Sequence, residues 1–229
     1  MLNMDFTRRV VIDTHAQPWI ASPRAGVWRK PLAREEAERG HATSIVRYEA
    51  GASFHGHNHP GGEEILVLEG TFSDETGDFP AGTYFRNPLG FRHAPFSREG
   101  CLILVKLHQF QADDDLRLAI QPAMARWQPL ADGSREAVLH THGSERVTLL
   151  ELPAGTELAG HDHPGGEEVF VLRGLLSDDQ GRYPAGTWLR QPAGSRHAPQ
   201  ADQATLLWIK SGHLPPADAP STAASKAPV

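Results

Sequence analysis

His57-Asn58-His59-Pro60-Gly61-Gly62-Glu63-Glu64 leads into the short apolar run Ile65-Leu66-Val67-Leu68 and then into Glu69-Gly70. Three potential metal ligands in this stretch, His57, His59 and Glu63, occupy odd positions. On an extended backbone, residues of equal parity point to the same face, so the three side chains can converge on one point inside a sheet. Helical spacing would scatter them around a cylinder.

The same segment occurs again 104 residues later as His161-Asp162-His163-Pro164-Gly165-Gly166-Glu167-Glu168. The offset persists downstream, since Pro80-Ala81-Gly82-Thr83 recurs as Pro184-Ala185-Gly186-Thr187 and His93 recurs as His197. A repeat of about a hundred residues allows each half to bury its own core. The duplication therefore predicts a first domain over residues 1–112 that includes an N-terminal lead-in, a connector at 113–126, a second domain at 127–213, and a disordered tail at 214–229.

The composition excludes several classes of partner. The formal net charge is −6 and no Lys/Arg cluster occurs, which argues against nucleic acid or an anionic membrane as a partner. No apolar run approaches the length of a membrane span, and the N-terminus is too polar for a signal peptide. The single cysteine, Cys101, starts an apolar run and is read as a buried, inert thiol. We expect a cytoplasmic protein without a membrane partner.

Short β-branched and apolar segments alternate with Gly/Pro turns along both halves, which predicts an all-β fold built as antiparallel barrels or jelly rolls. Two stretches favour helix instead. Leu32–Arg39 lies between Pro31 and Gly40, and Leu116–Ala119 follows the capping carboxylates of Asp113-Asp114-Asp115.

The fourth proposed ligand in each half is the histidine that follows the proline-glycine turn, which is His93 in the first half and His197 in the second. Three imidazoles and one carboxylate suit a divalent first-row ion such as zinc, iron, manganese, nickel or cobalt. Surface histidines in a polar loop would explain one His-x-His, but not two copies with identical spacing. The sequence thus predicts up to two ions per chain, held by His57, His59, Glu63 and His93 and by His161, His163, Glu167 and His197.

Two neighbours of these ligands need separate interpretation. Glu64 and Glu168 have the opposite parity to the proposed ligands and should point to the other face of the strand. His55 shares parity with His57 but is matched by Ala159 in the repeat. It is either a pocket or supporting residue of the first site or an exposed turn histidine.

These patterns resemble the two motifs of the cupin superfamily. Gly51-x5-His57-x-His59-x3-Glu63-x6-Gly70 is similar to the first motif, and Gly82-x5-Pro88-x-Gly90-x2-His93 is similar to the second. The resemblance implies two tandem double-stranded β-helix (jelly-roll) barrels, each holding its metal in the interior. It also implies a homodimer built through the sheets.

A narrower resemblance is to the cupin-like domain of ChrR anti-sigma factors. It is carried by the His57–Glu64 segment, by Phe79-Pro80-Ala81-Gly82-Thr83-Tyr84 and by Cys101-Leu102-Ile103-Leu104-Val105-Lys106-Leu107. In that family the cupin is a zinc-binding module tied to sensing singlet oxygen or peroxides, so zinc is the favoured ion, with iron and manganese as the other choices. The sequence shows no helical His/Cys zinc domain of the kind that grips a sigma factor, so sigma-factor binding is not expected.

The resemblance therefore implies a metal-binding sensor or small-molecule-binding module linked to oxidative stress. The alternative is a non-haem metal-dependent dioxygenase acting on a small diketone or phenolic substrate. The sequence offers no dedicated general base beyond the proposed ligands, so catalytic residues stay unassigned. Coordination separates the two functions, because a closed tetrahedral zinc site leaves no position for substrate, whereas a five- or six-coordinate ion does.

Overall fold

The computed structural model describes residues 1–36 and 39–216, and within them the chain is almost entirely β. The predicted all-β class is confirmed. The first eleven strands are β1 Val10–Asp13, β2 Ile20–Ala21, β3 Val27–Arg34, β4 Ala42–Tyr48, β5 His57–His59, β6 Glu63–Asp74, β7 Gly77–Pro80, β8 Tyr84–Asn87, β9 Phe91–His93, β10 Cys101–Leu107 and β11 Leu118–Ile120.

A single 3₁₀ turn, Pro122–Met124, is the helical element of the described residues. The remaining strands are β12 Trp127–Pro129, β13 Arg135–His142, β14 Glu145–Leu152, β15 His161–His163, β16 Glu167–Arg173, β17 Leu175–Asp178, β18 Gly181–Pro184, β19 Thr187–Gln191, β20 Ser195–His197, β21 Gln200–Ala201 and β22 Thr205–Ser211.

Within the described part of the chain, no helix is long and apolar enough to cross a lipid bilayer.

The described residues form two compact units. The first unit comprises Met1–Met4, Asp13–Gln128 and Ala137–Leu139, and the second comprises Asp5–Ile12, Pro129–Glu136 and the chain from His140 onward. In this division residues 5–12 group with the second unit, whereas the sequence analysis assigns the whole N-terminal lead-in to the first domain. Strand β1 lies at the edge of the second unit's sheet, next to β19. The placement of the domain boundary within the connector 113–126 stays a prediction.

The first unit is built on a sheet with the strand order β11-β8-β6-β10-β4-β3-β2, and β7 pairs with the far end of β6. Strands β5 and β9 form a separate antiparallel pair. Because side chains alternate along each strand, one face of the sheet carries a continuous apolar core. Its members include Val27, Val46, Tyr48, Ile65, Val67, Phe72, Phe79, Phe85, Ile103 and Val105.

The second unit repeats this plan. Its sheet runs β1-β19-β16-β22-β14-β13, a three-stranded sheet has the order β18-β17-β21, and β15 pairs with β20. The pairing of β16 with β22 contains a register shift near Val171, as the pairing of β6 with β10 does near Val67. The two halves therefore share their irregularities as well as their strands. The core comprises Leu152, Val169, Val171, Leu176, Tyr183, Leu189, Ala201 and Leu207.

Both helix predictions are wrong where the structure describes them. Residues up to Arg34 of the stretch Leu32–Arg39 continue strand β3, which pairs with β4, and residues 37 and 38 lie outside the described residues. In the connector, β11 pairs with β8 instead of forming a helix. Cross-strand pairing overrides local helix propensity in both places.

The carboxylate of Asp114 has a different role from the predicted helix cap. It accepts two hydrogen bonds from the Arg86 guanidinium, at 3.0 and 2.6 Å, and both side chains are buried. A bidentate arrangement of this kind satisfies a buried charge with two charge-assisted bonds.

The predicted disordered tail begins too early. Leu214 is buried, and its amide donates a hydrogen bond to the Gly165 carbonyl at 2.9 Å. Residues 217–229 lie outside the described residues.

Candidate metal centres

Paired strands bring the first candidate set together. His57 stands directly opposite His93 in the antiparallel β5–β9 pair, and His59 lies two residues along the same face of β5. The ring centroids of the three histidines are 4.7 to 5.4 Å apart. The pairing of β5 with β9 therefore brings the His-x-His pair next to His93, which is distant in sequence.

Glu63 completes the set from the first position of β6. Its Oε2 lies 3.3 Å from His93 Nε2 and 3.6 Å from His59 Nε2, and it accepts a hydrogen bond from the Asn87 side chain at 3.0 Å. Glu64 points to the other face, where its carboxylate accepts the Tyr84 hydroxyl at 2.7 Å. The two glutamates therefore point to opposite faces of β6, as their parity predicts.

The second glycine before Glu63 is required by its backbone conformation and by a close neighbour. Gly62 adopts φ +76°, and a Cβ there would lie 2.5 Å from the Phe110 ring. Its counterpart Gly166 has φ +67°, with Leu214 2.6 Å from the same position. Only glycine tolerates both the left-handed backbone and the close approach.

The second set has the same architecture in the second unit. His161 stands opposite His197 in the β15–β20 pair, and the three ring centroids lie 4.8 to 5.0 Å apart. Glu167 Oε2 is 3.6 Å from His163 Nδ1, and Glu167 Oε1 is 3.8 Å from His197 Nε2. The distance from Glu167 to His197 is longer than the 3.3 Å between Glu63 and His93.

Backbone carbonyls orient the leading histidine of each set. His57 Nδ1 lies 3.0 Å from the His55 carbonyl, and His161 Nδ1 lies 2.9 Å from the Ala159 carbonyl. An Nδ1–H that donates to this carbonyl leaves Nε2 as the free lone pair. The imidazole of His55 is exposed. His55 therefore supports the site through its backbone, which explains why Ala159 can replace it.

Two carboxylates that the sequence analysis missed support the distal histidines. His93 Nδ1 donates to Asp74 Oδ2 at 3.0 Å, and His197 Nδ1 lies 3.5 Å from Asp178 Oδ2. Asp74 is buried, the Asp178 side chain is 1% exposed, and the two stand 104 residues apart, so the repeat itself carried the signal. Carboxylates in this position fix the tautomer and the ring orientation of metal-binding histidines.

Burial and neighbouring charges shift the pKa values of the side chains differently in the two sets. Burial disfavours the imidazolium of His93, but the hydrogen bond to Asp74 and the charge of Glu63 outweigh it and raise the pKa of His93. In the second unit, burial and the neighbouring His197 lower the pKa of His163 to about 4. Burial also raises the pKa of the Glu167 carboxyl to about 8.

Both sets fit a metal ion on geometry. Two ligand atoms about 2.1 Å from one ion lie about 3.0 Å apart at a right angle and about 3.4 Å apart at the tetrahedral angle. In the first unit, His59 Nε2 and His93 Nε2 are 3.0 Å apart. In the second unit, His163 Nε2 and His197 Nε2 are buried without a hydrogen-bond partner among the described residues. Such orphaned nitrogens are costly unless a ligand satisfies them.

Replacing Asp74 by asparagine should weaken metal binding in the first unit by about 10–100-fold, because the amide keeps the shape but loses the charge that orients His93. Competition with a chromophoric chelator measures the affinity. Asp78→Asn is the matched control, since Asp78 lies in the same hairpin and binds Ser73 and Arg98 instead of a site histidine. Equal affinities for the wild-type and Asp74→Asn proteins would show that the carboxylate has no supporting role.

Comparison with known proteins places these sites in context. A family model described as the ChrR cupin-like domain matches residues 7–111 and again residues 115–215. The chain is 35% identical over 78 residues to the anti-sigma-E factor ChrR of Cereibacter sphaeroides. This match covers 34% of the chain and 37% of ChrR, so the chain spans little more than a third of that relative.

Solved structures share the fold at low sequence identity. A candidate dioxygenase from Nostoc punctiforme PCC 73102 superposes with a TM-score of 0.76 and 18% identity, covering 97% of this chain and 88% of that one. A bacterial pirin from Escherichia coli in complex with nickel(II) gives a TM-score of 0.69 and 14% identity, covering 91% of this chain and all of that one. The predicted tandem barrels are confirmed.

Proposed function

This chain belongs to the ChrR cupin-like domain family in both of its halves, and on that premise we propose that it binds one divalent transition-metal ion in each unit. The observation that carries the proposal is the convergence of three imidazoles and one carboxylate, twice, at a constant offset. The ligands are His57, His59, Glu63 and His93 in the first unit and His161, His163, Glu167 and His197 in the second.

The metal would act as a Lewis acid and as an anchor for a small ligand. Nitrogen-rich sites with one carboxylate accept zinc, which we favour, and also iron or manganese. In the first unit a cavity of about 120 Å³ borders His57, His59 and Glu63. The site is therefore open on one side, which favours a ligand-binding role over a closed structural one.

We infer that the protein acts as a ligand-binding or sensor module. The relative that carries the name ChrR is an anti-sigma-E factor, and the regulatory role in its name motivates the proposal of a sensor module. Cys101 is not the sensing group, because burial raises the pKa of its thiol to about 11 and suppresses the reactive thiolate. A sensing reaction would act at the histidine sites, and peroxide or singlet oxygen should then release metal.

A second candidate function is oxygenation of a small substrate. The apolar part of the first cavity supports it, as does the structural similarity to a candidate dioxygenase. Oxygen uptake with diketone or phenolic substrates after loading with Fe(II) tests this function. Absence of uptake across such a panel, together with zinc as the co-purifying metal, would eliminate it.

Replacing Glu63 by glutamine should weaken metal binding in the first unit by about 100-fold, because it removes the only anionic ligand of that set. Glu64→Gln is the matched control, since Glu64 binds Tyr84 on the opposite face. With free metal buffered at a concentration that just fills both wild-type sites, the first variant should lose one ion per chain and the second should keep both. Equal losses in the two variants would contradict the assignment of Glu63 as the ligand.

A further inference from the structure

An arginine and a tyrosine contact the carboxylate that supports the second metal set. The Tyr183 hydroxyl donates a hydrogen bond to Asp178 Oδ1, and the Arg9 guanidinium donates one to the Tyr183 hydroxyl. Arg9 Nη2 also lies 3.6 Å from Asp178 Oδ2, and the guanidinium carbon lies 5.4 Å from the centre of the Tyr183 ring. All three residues belong to the second unit. A fixed positive charge therefore stands beside the aspartate that faces His197.

Arg9 and His197 approach the same oxygen of Asp178. His197 Nδ1 is 3.5 Å from Oδ2, and both this distance and that of Arg9 exceed the length of about 2.7–2.9 Å that is usual for a charge-assisted hydrogen bond. Oδ2 has no hydrogen-bond partner among the described residues. His197 Nδ1 also has a neutral neighbour, the Gln191 side-chain nitrogen at 3.4 Å. The attraction of Oδ2 for the guanidinium thus competes with a hydrogen bond from the imidazole.

The first unit keeps the aspartate, and no arginine in the described part of the chain contacts its carboxylate. Asp74 Oδ2 lies 3.0 Å from His93 Nδ1, and Oδ1 accepts hydrogen bonds from the backbone amide and the hydroxyl of Thr76, at 2.7 and 2.5 Å. Arg117 donates to the Thr76 hydroxyl at 2.7 Å, so it stands one hydrogen bond away from the carboxylate. The first aspartate therefore gives one oxygen entirely to its histidine.

The two arginines occupy equivalent places in the repeat. Arg9 directly precedes β1, the edge strand beside β19, and Arg117 directly precedes β11, the edge strand beside β8. Tyr183 occupies the position that corresponds to Phe79, 104 residues earlier. Phenylalanine has no hydroxyl, so it cannot accept a hydrogen bond from the neighbouring arginine. The tyrosine therefore holds an arginine against the aspartate in the second unit, and the phenylalanine does not do so in the first.

We propose that Arg9, held in place by Tyr183, makes the second unit the weaker and more readily exchanged metal site of the chain. Both are positioning residues, because they act on the ion through Asp178 and His197. A carboxylate on the outer ring nitrogen increases the basicity of a ligating histidine, and its loss typically costs about 10–100-fold in metal affinity. A guanidinium on the same carboxylate removes part of this support, so the second site should bind zinc about tenfold more weakly than the first.

This inference rests on the proposed function, since it requires an ion in each unit. It also divides the work between the units. Occupancy of the second unit would vary with free metal over a concentration range in which the first unit stays filled. The second unit would then be the part of the chain that responds to metal supply or to metal release.

Zinc affinities of the separate sites test the proposal. The His197→Ala background leaves the first site and the His93→Ala background leaves the second, and competition with a chromophoric chelator measures each in the full chain. The measurement is made at pH 9, where the Glu167 carboxyl is ionised, so that proton competition at this group contributes little. The first site should bind zinc about tenfold more tightly than the second.

Removal of the arginine charge tests its role directly. In the His93→Ala background, Arg9→Met should strengthen zinc binding about tenfold, because it removes the charge and keeps an unbranched side chain. Arg8→Met is the matched control, since Arg8 is the exposed neighbour, and it should change the affinity less than about twofold. Proton NMR of the zinc-loaded proteins gives a second readout. The His197 Nδ1 proton should move downfield in Arg9→Met, because its hydrogen bond to Asp178 becomes shorter.

Several results would overturn the proposal. They are equal zinc affinities of the two sites at pH 9, unchanged or weaker zinc binding by folded Arg9→Met, and equal strengthening by Arg8→Met. Arg9→Gln is prepared as well, so that misfolding of one variant, detected by thermal melting, leaves the other as the test. Absence of zinc binding by the wild-type chain would reject the proposed function together with this inference, whereas two sites of equal affinity would reject the role of Arg9 alone.

Discussion

Replacing His93 by alanine should lower the metal content of the purified chain from two ions to one. His93 is fully buried, and its Nε2 lies 3.0 Å from His59 Nε2 and 3.3 Å from Glu63 Oε2. Removing it deletes one of the four ligands and the imidazole that Asp74 orients. The loss of a ligand disfavours retention of the ion. Elemental analysis of protein purified without chelators measures the loss.

The repeat supplies the controls for this experiment. His197→Ala should remove the other ion, and the double variant should contain none. His55→Ala tests a neighbouring histidine whose exposed side chain does not enter the site, and it should retain two ions. Circular dichroism establishes whether each variant is folded. A folded His93→Ala protein that still holds two ions would remove His93 from the ligand set.

Metal uptake by the second unit should release about one proton per ion at pH 7 and none well above pH 8. Burial raises the pKa of the Glu167 carboxyl to about 8, so the metal-free protein holds this group protonated at neutral pH. An ion requires the carboxylate and therefore displaces the proton. The pKa of His163 is lowered to about 4 by burial, so this imidazole is already neutral and releases nothing.

Affinity should rise roughly fivefold between pH 7 and pH 8, because one proton competes with the ion, and only about twofold more once the carboxyl is fully ionised. The His93→Ala variant isolates the second site, and chelator competition in buffers of different pH gives the affinity. Glu167→Gln in the same background should bind more weakly and release no proton. An affinity independent of pH from 7 to 9 would contradict the role of Glu167.

Much of the site was predictable because it depends on local periodicity. Strand parity separates Glu63 from Glu64, and the repeat identifies His93 and His197 as partners of the His-x-His pairs. Asp74 and Asp178 were equally visible in the repeat, but aspartate in a polar hairpin is so common that its pattern carried little information. Only the strand pairing shows that they reach the distal histidines.

Other features depend on long-range pairing, which the sequence does not encode locally. The run after Pro31 has helical propensity, yet its pairing with β4 and the bulge at Leu32 turn it into the end of strand β3. The N-terminal strand β1 is distant in sequence from β19, its neighbour in the sheet. Asp114 resembled a helix cap because its partner Arg86 lies 28 residues away.

Anomalous diffraction from crystals of the metal-loaded chain locates the ions directly. We expect two peaks per chain, each within about 2.4 Å of three imidazole nitrogens and one carboxylate oxygen. One peak should lie among His57, His59, Glu63 and His93, and the other among His161, His163, Glu167 and His197. Peaks at other residues, or histidines of either set turned away from one another around an empty site, would contradict this expectation.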